Sequence, residues 1–148
     1  MKEPVIRFQK LDRRAQAPQR GSREAAGADL RALLDGPVTL APGETRLIPT
    51  GLALEIPEGY VGLVYARSGM ATKRGLAPAN KVGVIDSDYR GELLVALYNQ
   101  SGADAVVEPN ERIAQLVIAP VLLPEYREAE SLGETERGSG GFGSTGTK

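Results

Sequence analysis

From Val38 onward the sequence is a succession of short runs of β-branched, leucine and aromatic residues, each followed by turn residues. Pro42-Gly43, Glu58-Gly59 and Ser101-Gly102 mark turns at intervals of roughly one strand length. In two of the runs apolar residues alternate, at Leu52, Leu54 and Ile56 and at Leu94, Ala96 and Tyr98. Short strands spaced in this way are typical of an antiparallel sandwich or barrel. The sequence therefore predicts an all-β fold.

Two segments could interrupt the strands with helix. Ser68 to Arg74 (SGMATKR) begins with a residue suited to capping, ends on two cations and precedes Gly75, so we predict one short helix there. Arg23 to Leu34 contains many helix formers, but Gly27 interrupts it and local propensity is a weak guide within a β domain. We predict that this second segment is extended.

The length of 148 residues suits one domain with a hydrophobic core and is too short for two ordinary ones. Residues 1–133 carry the strand pattern, whereas residues 134–148 contain no apolar run. We expect the first part to be the β domain. We expect the second to be a mobile arm that becomes ordered when it closes over a ligand.

Charge gives no long-range indication of a partner. The 18 Lys and Arg residues balance 19 Asp and Glu residues, so we expect binding to neither nucleic acid nor an anionic membrane. No run approaches the roughly 18 apolar residues of a membrane span. The N-terminal sequence MKEPVIRFQK also lacks the apolar core of a signal peptide. We expect a cytoplasmic protein.

Cysteine and histidine are both absent. Their absence excludes disulfides, thiol and histidine triads, imidazole bases and the nitrogen or sulfur ligands that zinc prefers. Any chemistry must come from carboxylates, hydroxyls, arginines and a hard metal. Such groups suit Mg²⁺ bound together with phosphate oxygens.

The stretch ARSGMATKRG is the first candidate site. Arg67 and Ser68 precede Gly69 at the start of the predicted helix. Free backbone N–H groups, a hydroxyl and a guanidinium in this arrangement can bind an anion. Taken alone, the motif is explained as well by a capped surface helix.

A second candidate site is NKVGVIDSDYRGEL, in which a strand-like run leads to Asp86. Asp88 and Tyr89 follow on a turn that Gly91 closes. A carboxylate at the end of a strand can accept a proton from a water held in line for attack. Turn formation is the commoner role of Asp-Ser-Asp taken alone.

Two further motifs carry polar residues in apolar surroundings. AGADLRA contains Asp29, which could contact a hydrated metal or a sugar, although a lone aspartate is usually a solvated turn residue. Arg112 and Gln115 lie in the otherwise apolar run NERIAQLVI and need polar partners. A solvent-facing edge is the alternative, above all for Arg112.

The stretch RGSGGFGSTG, from Arg137 to Gly146, has five glycines in ten residues and one of the two phenylalanines of the chain. Its glycines match G-x-G-x-x-G and nearly match a P-loop, but no strand precedes them and no helix follows, so both matches are misleading. Glycine amides and hydroxyls can nevertheless bind phosphate oxygens, as can Arg137. Phe142 can stack on a base. A disordered linker is the alternative.

In this order, the five motifs resemble those of the homotrimeric dUTPase family (deoxyuridine 5′-triphosphate nucleotidohydrolases). The resemblance runs from about Ala25 to Gly146. It implies a β jelly-roll and a homotrimer with active sites at subunit interfaces, where the arm of one subunit closes over a site formed by the other two. It also implies hydrolysis of dUTP to dUMP and pyrophosphate, which limits uracil in DNA and supplies dUMP for dTMP synthesis.

The resemblance implies roles around the phosphates. Asp86 would activate the attacking water, and Asp29 would hold a water of the Mg²⁺ shell. Gln115 and Arg137 would complete the catalytic set. The other phosphate-binding residues would be Arg67, Ser68 and Gly69, with Gly143, Ser144 and Thr145 in the arm.

The resemblance also implies roles around the nucleoside. Tyr89 would pack under the deoxyribose and exclude a 2′-hydroxyl. Asn80 and the main chain near Gly83 and Ile85 would pair with the uracil edge, in a hairpin with no room for the methyl group of thymine. Phe142 would cover the base.

Small departures from the family pattern remove no proposed chemical group. Ala66 stands where proline is frequent, Met70 where leucine is frequent, and NER where GDR is commoner. Asn110 can keep the turn of the usual glycine because asparagine tolerates positive φ.

Two alternatives remain at this stage. A dCTP deaminase shares the fold, but its family would call for a serine where Gly69 stands and for a glutamate base in a context that Glu111 lacks. A non-catalytic, nucleotide-binding regulatory trimer is the other alternative. The intact set of Asp29, Asp86, Tyr89 and Arg137 argues against it.

Overall fold

The computed structural model describes residues 2–147 and consists mainly of strands. In chain order the elements are β1 (Arg7–Lys10), β2 (Gln19–Arg20), β3 (Ala28–Arg31), β4 (Val38–Leu40), β5 (Thr45–Glu55), β6 (Tyr60–Tyr65), α1 (Ser68–Arg74), β7 (Leu76–Pro78), β8 (Gly83–Ile85), β9 (Glu92–Asn99), β10 (Ala105–Val107) and β11 (Arg112–Pro120). The prediction of an all-β fold with one short helix is confirmed.

The strands form a four-stranded sheet in the order β1-β5-β9-β7, a five-stranded sheet in the order β2-β3-β11-β6-β8 and a two-stranded sheet of β10 and β4. Every pairing is antiparallel. Most neighbours in the two larger sheets are not consecutive in the sequence, which is the connectivity of a jelly-roll rather than of a simple meander.

The hydrophobic core is made by inward-facing residues of these strands, with Met70 of the helix packed among them. Leu52 and Leu54 of β5 and Ile56, which directly follows this strand, are buried, as their alternation predicts. In β9 the buried set is instead Leu93, Val95 and Leu97, so Leu94, Ala96 and Tyr98 lie on the opposite face. Because β9 is apolar on both faces, its period of two does not tell which face is inside.

Helix α1 ends as predicted but begins differently. Gly75 closes it in the left-handed conformation, with φ of 66°. The N-cap residue is Arg67, in extended conformation and without a side-chain capping bond, so Ser68 is the first helical residue and the prediction of a serine cap is wrong. The extended prediction for residues 23–34 is confirmed, since β3 is its regular element and no helix forms there. Asn110 has φ of 65°, as its place in the turn requires.

Residues 121–147, which follow β11, form no helix or strand. Their large apolar side chains are exposed, among them Leu122, Tyr126, Leu132 and Phe142. Apolar residues that cover nothing on their own domain are available to a second surface. In the part of the chain described here, no helix is both long enough and apolar enough to cross a bilayer.

Candidate active site

The first group of candidate residues lies at one end of the five-stranded sheet. Antiparallel pairing sets Gln115 of β11 opposite both Asp29 of β3 and Tyr65 of β6. Arg67 follows two residues after Tyr65, so it reaches the same end of the sheet. Its Nε donates a hydrogen bond of 2.8 Å to Oδ1 of Asp29. Residues from three distant parts of the sequence thus meet in one cluster.

Asp29 is the acidic centre of this cluster. Its side chain is only 16% exposed, and its second carboxylate oxygen lies 3.5 Å from Nη1 of Arg112. A carboxylate this far from solvent needs charged or hydrogen-bonding partners, and two arginines supply them. Arg112 is therefore a site residue and not merely an edge residue. The strand register that brings it to Asp29 could not be found from the sequence.

Gln115 has a fixed position in the same cluster. Its side-chain Nε2 donates to the carbonyl oxygen of Ala66 over 2.8 Å, just before Arg67. A Cβ on Gly27 would lie 2.2 Å from Oε1 of Gln115. The absence of a side chain at Gly27 therefore leaves the space that the Gln115 side chain occupies. This packing explains the glycine better than a need to interrupt a helix.

Ser68 and Gly69 extend this cluster into solvent. Both residues are exposed in the first turn of α1, and a Cβ at Gly69 would meet no atom within 4 Å. The backbone carbonyl of Ser68 accepts a 2.7 Å hydrogen bond from the Thr72 hydroxyl. The surface beside Arg67 is thus open to a ligand.

The second group surrounds the turn that follows β8. Asp86 comes directly after Ile85, and the N–H of Tyr89 donates to the Asp86 carbonyl oxygen over 3.2 Å. The two side chains border a cavity of about 200 Å³, whose lining is Val84, Ile85, Asp86, Tyr89, Glu92 and Leu94. A carboxylate, an aromatic ring and an apolar wall therefore meet in one depression.

The ring of Tyr89 is folded back along its own hairpin. Its hydroxyl donates to the Glu92 carbonyl oxygen over 2.8 Å. A Cβ on Gly91 would lie 2.5 Å from the same hydroxyl oxygen, so only glycine leaves the ring its place. Asn80 lies at the other end of β8, because its Nδ2 is 3.5 Å from where a Cβ of Gly83 would be and Gly83 pairs with Val64 of β6.

These two groups lie toward opposite ends of one strand. Ile85 pairs with Gly62 of β6, whereas Gln115 pairs with Tyr65. Three residues of strand span about 10 Å. Asp86 follows Ile85 and therefore lies beside the start of β6, before Gly62. Arg67 follows Tyr65 and therefore lies past the end of β6. Within one chain, Asp86 therefore does not face the phosphate-binding candidates.

The third group is in the C-terminal segment. Nε of Arg137 donates to the Gly140 carbonyl oxygen over 2.8 Å, and the N–H of Gly140 donates back to Arg137 over 3.2 Å. The N–H of Ser144 donates to Gly141, so Thr145 and its neighbours also lie in a local turn. Phe142 has φ of 51°. Within residues 2–147, hydrogen bonds and ion pairs do not join residues 134–147 to the β domain.

The described residues 2–147 contain no group of three or more His, Cys, Asp or Glu side chains that could hold a metal ion. Asp29 is the carboxylate nearest the phosphate-binding candidates.

Comparison with known proteins shows which family this chain resembles. The dUTPase family model matches residues 13–146. A deoxyuridine 5′-triphosphate nucleotidohydrolase of Desulfitobacterium hafniense is 54% identical over 142 residues, which cover 95% of this chain and 94% of the relative. The corresponding protein of Ralstonia nicotianae is 50% identical over 132 residues, covering 88% and 89%.

Solved structures show the same likeness. The dUTPase of Staphylococcus bacteriophage 80alpha with dUPNHPP is 32% identical, has a TM-score of 0.88 and covers 98% of this chain and 100% of its own. A mutant dUTPase from phage phi11 of S. aureus, described with a structural Mg(II) ion, is 28% identical with a TM-score of 0.77 and covers 86% and 98%. By sequence and by fold, this chain belongs to the dUTPase family.

Proposed function

We propose that this protein is a dUTP diphosphatase, which converts dUTP and water into dUMP and pyrophosphate. The observation that carries the proposal is the set of three groups with complementary chemistry, in a chain that matches the family over residues 13–146. A carboxylate borders a pocket, an arginine cluster can bind phosphate, and a glycine-rich arm carries an aromatic ring. The reaction would limit uracil in DNA and supply dUMP for dTMP synthesis.

The complete site needs more than one copy of the chain. Asp86 and Arg67 continue toward opposite ends of β6, and the C-terminal segment makes no hydrogen bond to its own domain within the described residues. A homotrimer would bring the Asp86 turn of one subunit to the Arg67 cluster of a neighbour. The arm, residues 134–148, would then close over the site from a third subunit.

Asp86 would be the general base. Its carboxylate would take a proton from a water as the water oxygen attacks the α-phosphorus, and the bond from that phosphorus to the bridging oxygen would break. Pyrophosphate would leave, and dUMP would carry the new oxygen. Hydrolysis of a phosphoanhydride depends mainly on positioning and on neutralising charge, so one placed carboxylate suffices as base.

Several residues would neutralise and orient the phosphates. Arg67 and Gln115 already lie at one end of the sheet, next to the exposed Ser68 and Gly69. From the arm, a second set would contact the γ-phosphate: Arg137, Gly143, Ser144 and Thr145. Guanidinium groups suit this role because they form paired, charge-assisted hydrogen bonds to phosphate oxygens.

The nucleoside would occupy the hairpin cavity. Tyr89 would pack under the deoxyribose, where a 2′-hydroxyl would collide with its ring. Asn80 and the backbone near Gly83 and Ile85 would pair with uracil. Phe142 would then stack on the exposed face of the base, a contact worth about 1–3 kcal/mol.

Asp29 suits a water-mediated contact to Mg²⁺. Both of its oxygens face arginines, so its charge is already balanced and its pull on a cation is weaker than that of a free carboxylate. Mg²⁺ usually keeps several waters and binds through one or two carboxylates together with substrate phosphates. The bound ion would supply positive charge to the triphosphate.

Product analysis tests this function directly. The purified protein with Mg²⁺ would be incubated separately with dUTP, dTTP, dCTP and UTP, and the products resolved by ion-exchange chromatography. We expect dUMP and pyrophosphate from dUTP alone. Ammonia released from dCTP would instead identify a deaminase, and tight dUTP binding without turnover would identify a non-catalytic nucleotide-binding trimer.

A further inference from the structure

Arg90 bridges two backbone carbonyls of the turn between Asp86 and Gly91. Its Nη1 lies 2.6 Å from the carbonyl oxygen of Ser87 and 3.1 Å from that of Tyr89. Ser87 is the residue after Asp86, and Tyr89 carries the ring that borders the cavity. A planar guanidinium bound to both carbonyls restricts the backbone on which both side chains stand.

We call the Arg90 guanidinium bound to the carbonyls of Ser87 and Tyr89 the clamp. Glu55 connects this clamp to β5 of the four-stranded sheet. Nη2 of Arg90 lies 4.0 Å from Oε1 of Glu55, whose Oε2 is 3.0 Å from Nη1 of Arg7. Glu55 ends β5, and Arg7 begins β1 opposite it. A chain of ion pairs thus runs from β1 and β5 of the four-stranded sheet to the turn that leads from β8 of the five-stranded sheet into β9 of the four-stranded one.

The clamp is suited to controlling geometry rather than stability. The side chains of Arg90 and Glu55 are 54% and 45% exposed. Ion pairs as exposed as this contribute little to the free energy of unfolding. A shift of about 1 Å in a reacting group can nevertheless lower a rate by about 100-fold.

We infer that Arg90 is a positioning residue, which holds Asp86 and Tyr89 in the geometry for hydrolysis, and that Glu55 orients the Arg90 side chain. The inference rests on the proposed dUTP hydrolysis. Arg90 would touch no reacting atom; it acts through the backbone of the turn.

Kinetics of Arg90→Gln test the inference, with Arg46→Gln as the matched control. Arg46 lies on β5, is 46% exposed and binds Glu44 over 2.6 Å, far from this turn in the pairing register. We expect Arg90→Gln to lower kcat by about 10- to 100-fold and to reduce the preference for dUTP over UTP, with an unchanged melting temperature. Arg46→Gln should match the wild type in all three measurements.

Two further variants should show smaller losses of kcat than Arg90→Gln. Arg90→Lys keeps the charge but has one nitrogen where Arg90 uses Nη1 for the carbonyls and Nη2 for Glu55, so its kcat should fall between those of the wild type and Arg90→Gln. Glu55→Gln leaves Arg90 in place without its orienting charge, so it should cause a smaller loss in the same direction. A kcat and a nucleotide preference equal to wild type in Arg90→Gln would overturn the inference.

Amide hydrogen exchange in the ligand-free protein gives a readout that needs no activity. The Tyr89 amide, which donates to Asp86, should exchange faster in Arg90→Gln than in the wild type or in Arg46→Gln. Unchanged exchange in Arg90→Gln would refute the clamp. A wild-type protein without dUTP turnover would refute the proposed function instead, and the exchange rates would still decide whether the clamp exists.

Discussion

The phosphate-binding candidates fall into two regions that differ in how the chain holds them. Asp29, Arg67 and Gln115 come from β3, the residues after β6, and β11, and they are joined by partly buried contacts of 2.8 Å. The glycine-rich arm is held only by turns within itself, and Phe142 is fully exposed. Both regions carry an arginine for phosphate, yet only the first is organised before a ligand arrives.

This difference has an energetic consequence. Ordering a residue costs about 1–2 kcal/mol of backbone entropy, which the sheet residues have already lost through folding of the domain. On the proposed function, the arm would lose that entropy when nucleotide binds, so its contacts would contribute net binding energy only after this cost. The preformed cluster would capture the phosphates, and the arm would then enclose them.

The largest loss of activity is expected when the proposed base is replaced. Asp86→Asn keeps the shape of the side chain but cannot accept the proton, so we expect kcat to fall by about 10²–10⁴ while dUTP still binds. Steady-state kinetics and calorimetric titration with a non-hydrolysable analogue would measure the two effects. Near-normal turnover would remove Asp86 from the role of base.

Removing the arm separates activity from folding. Deletion of residues 137–148 should lower kcat/KM by about 10²–10³, the usual loss when charged donors to a reacting phosphate or oxyanion are removed. The melting temperature and the oligomeric state should not change, because no hydrogen bond or ion pair joins the described part of the deleted segment, residues 137–147, to the β domain. Light scattering and thermal unfolding would test this. Dissociation of the oligomer would contradict the distinction between arm and scaffold.

Disturbing the sheet cluster, unlike removing the arm, should lower stability and activity together. Gly27→Ala drives a methyl group into Gln115, which would lie within 2.2 Å. Overpacking of this kind costs about 1–3 kcal/mol, so unfolding in urea and activity should decline together. Gly36→Ala is the control, because its Cβ would meet no atom within 4 Å. Unaltered stability in Gly27→Ala would mean that the cluster is as adaptable as the arm.

The smallest effect is expected at the edge of the cluster. Arg112 is 48% exposed and lies 3.5 Å from Asp29, so its ion pair contributes about 0.2–1 kcal/mol. Arg112→Gln should change KM for dUTP by only about two- to fivefold, less at high salt because exposed pairs are screened. A loss as large as that of the arm deletion would make Arg112 a principal phosphate ligand.

Local features of the fold were predictable where one residue type decides them. Gly75 ends α1 with positive φ, and Asn110 adopts φ of 65°, because few other residues take these conformations at low cost. The inward face of β9 was not predictable. The alternation shows that β9 is a strand, but both of its faces are apolar. The packing of neighbouring strands determines which face is buried.

The positions of the candidate residues relative to the strands and the helix were predictable, but which of these residues meet was not. Asp86 stands after β8 and Arg67 before α1, as their motifs indicate. The contact of Arg112 with Asp29 and the space that Gly27 leaves for Gln115 were missed. Each depends on strand register between segments far apart in the sequence.

The amino-acid sequence by itself determined the class of fold, the short helix and the chemistry available, because turn residues, apolar periodicity and the lack of Cys and His act locally or on the whole composition. Only the tertiary structure decided which groups meet. Strand order and register brought Asp29, Arg67 and Gln115 together and sent Asp86 toward the other end of β6. Pairing between distant strands depends on side-chain packing across the whole sheet, which no short stretch of sequence contains.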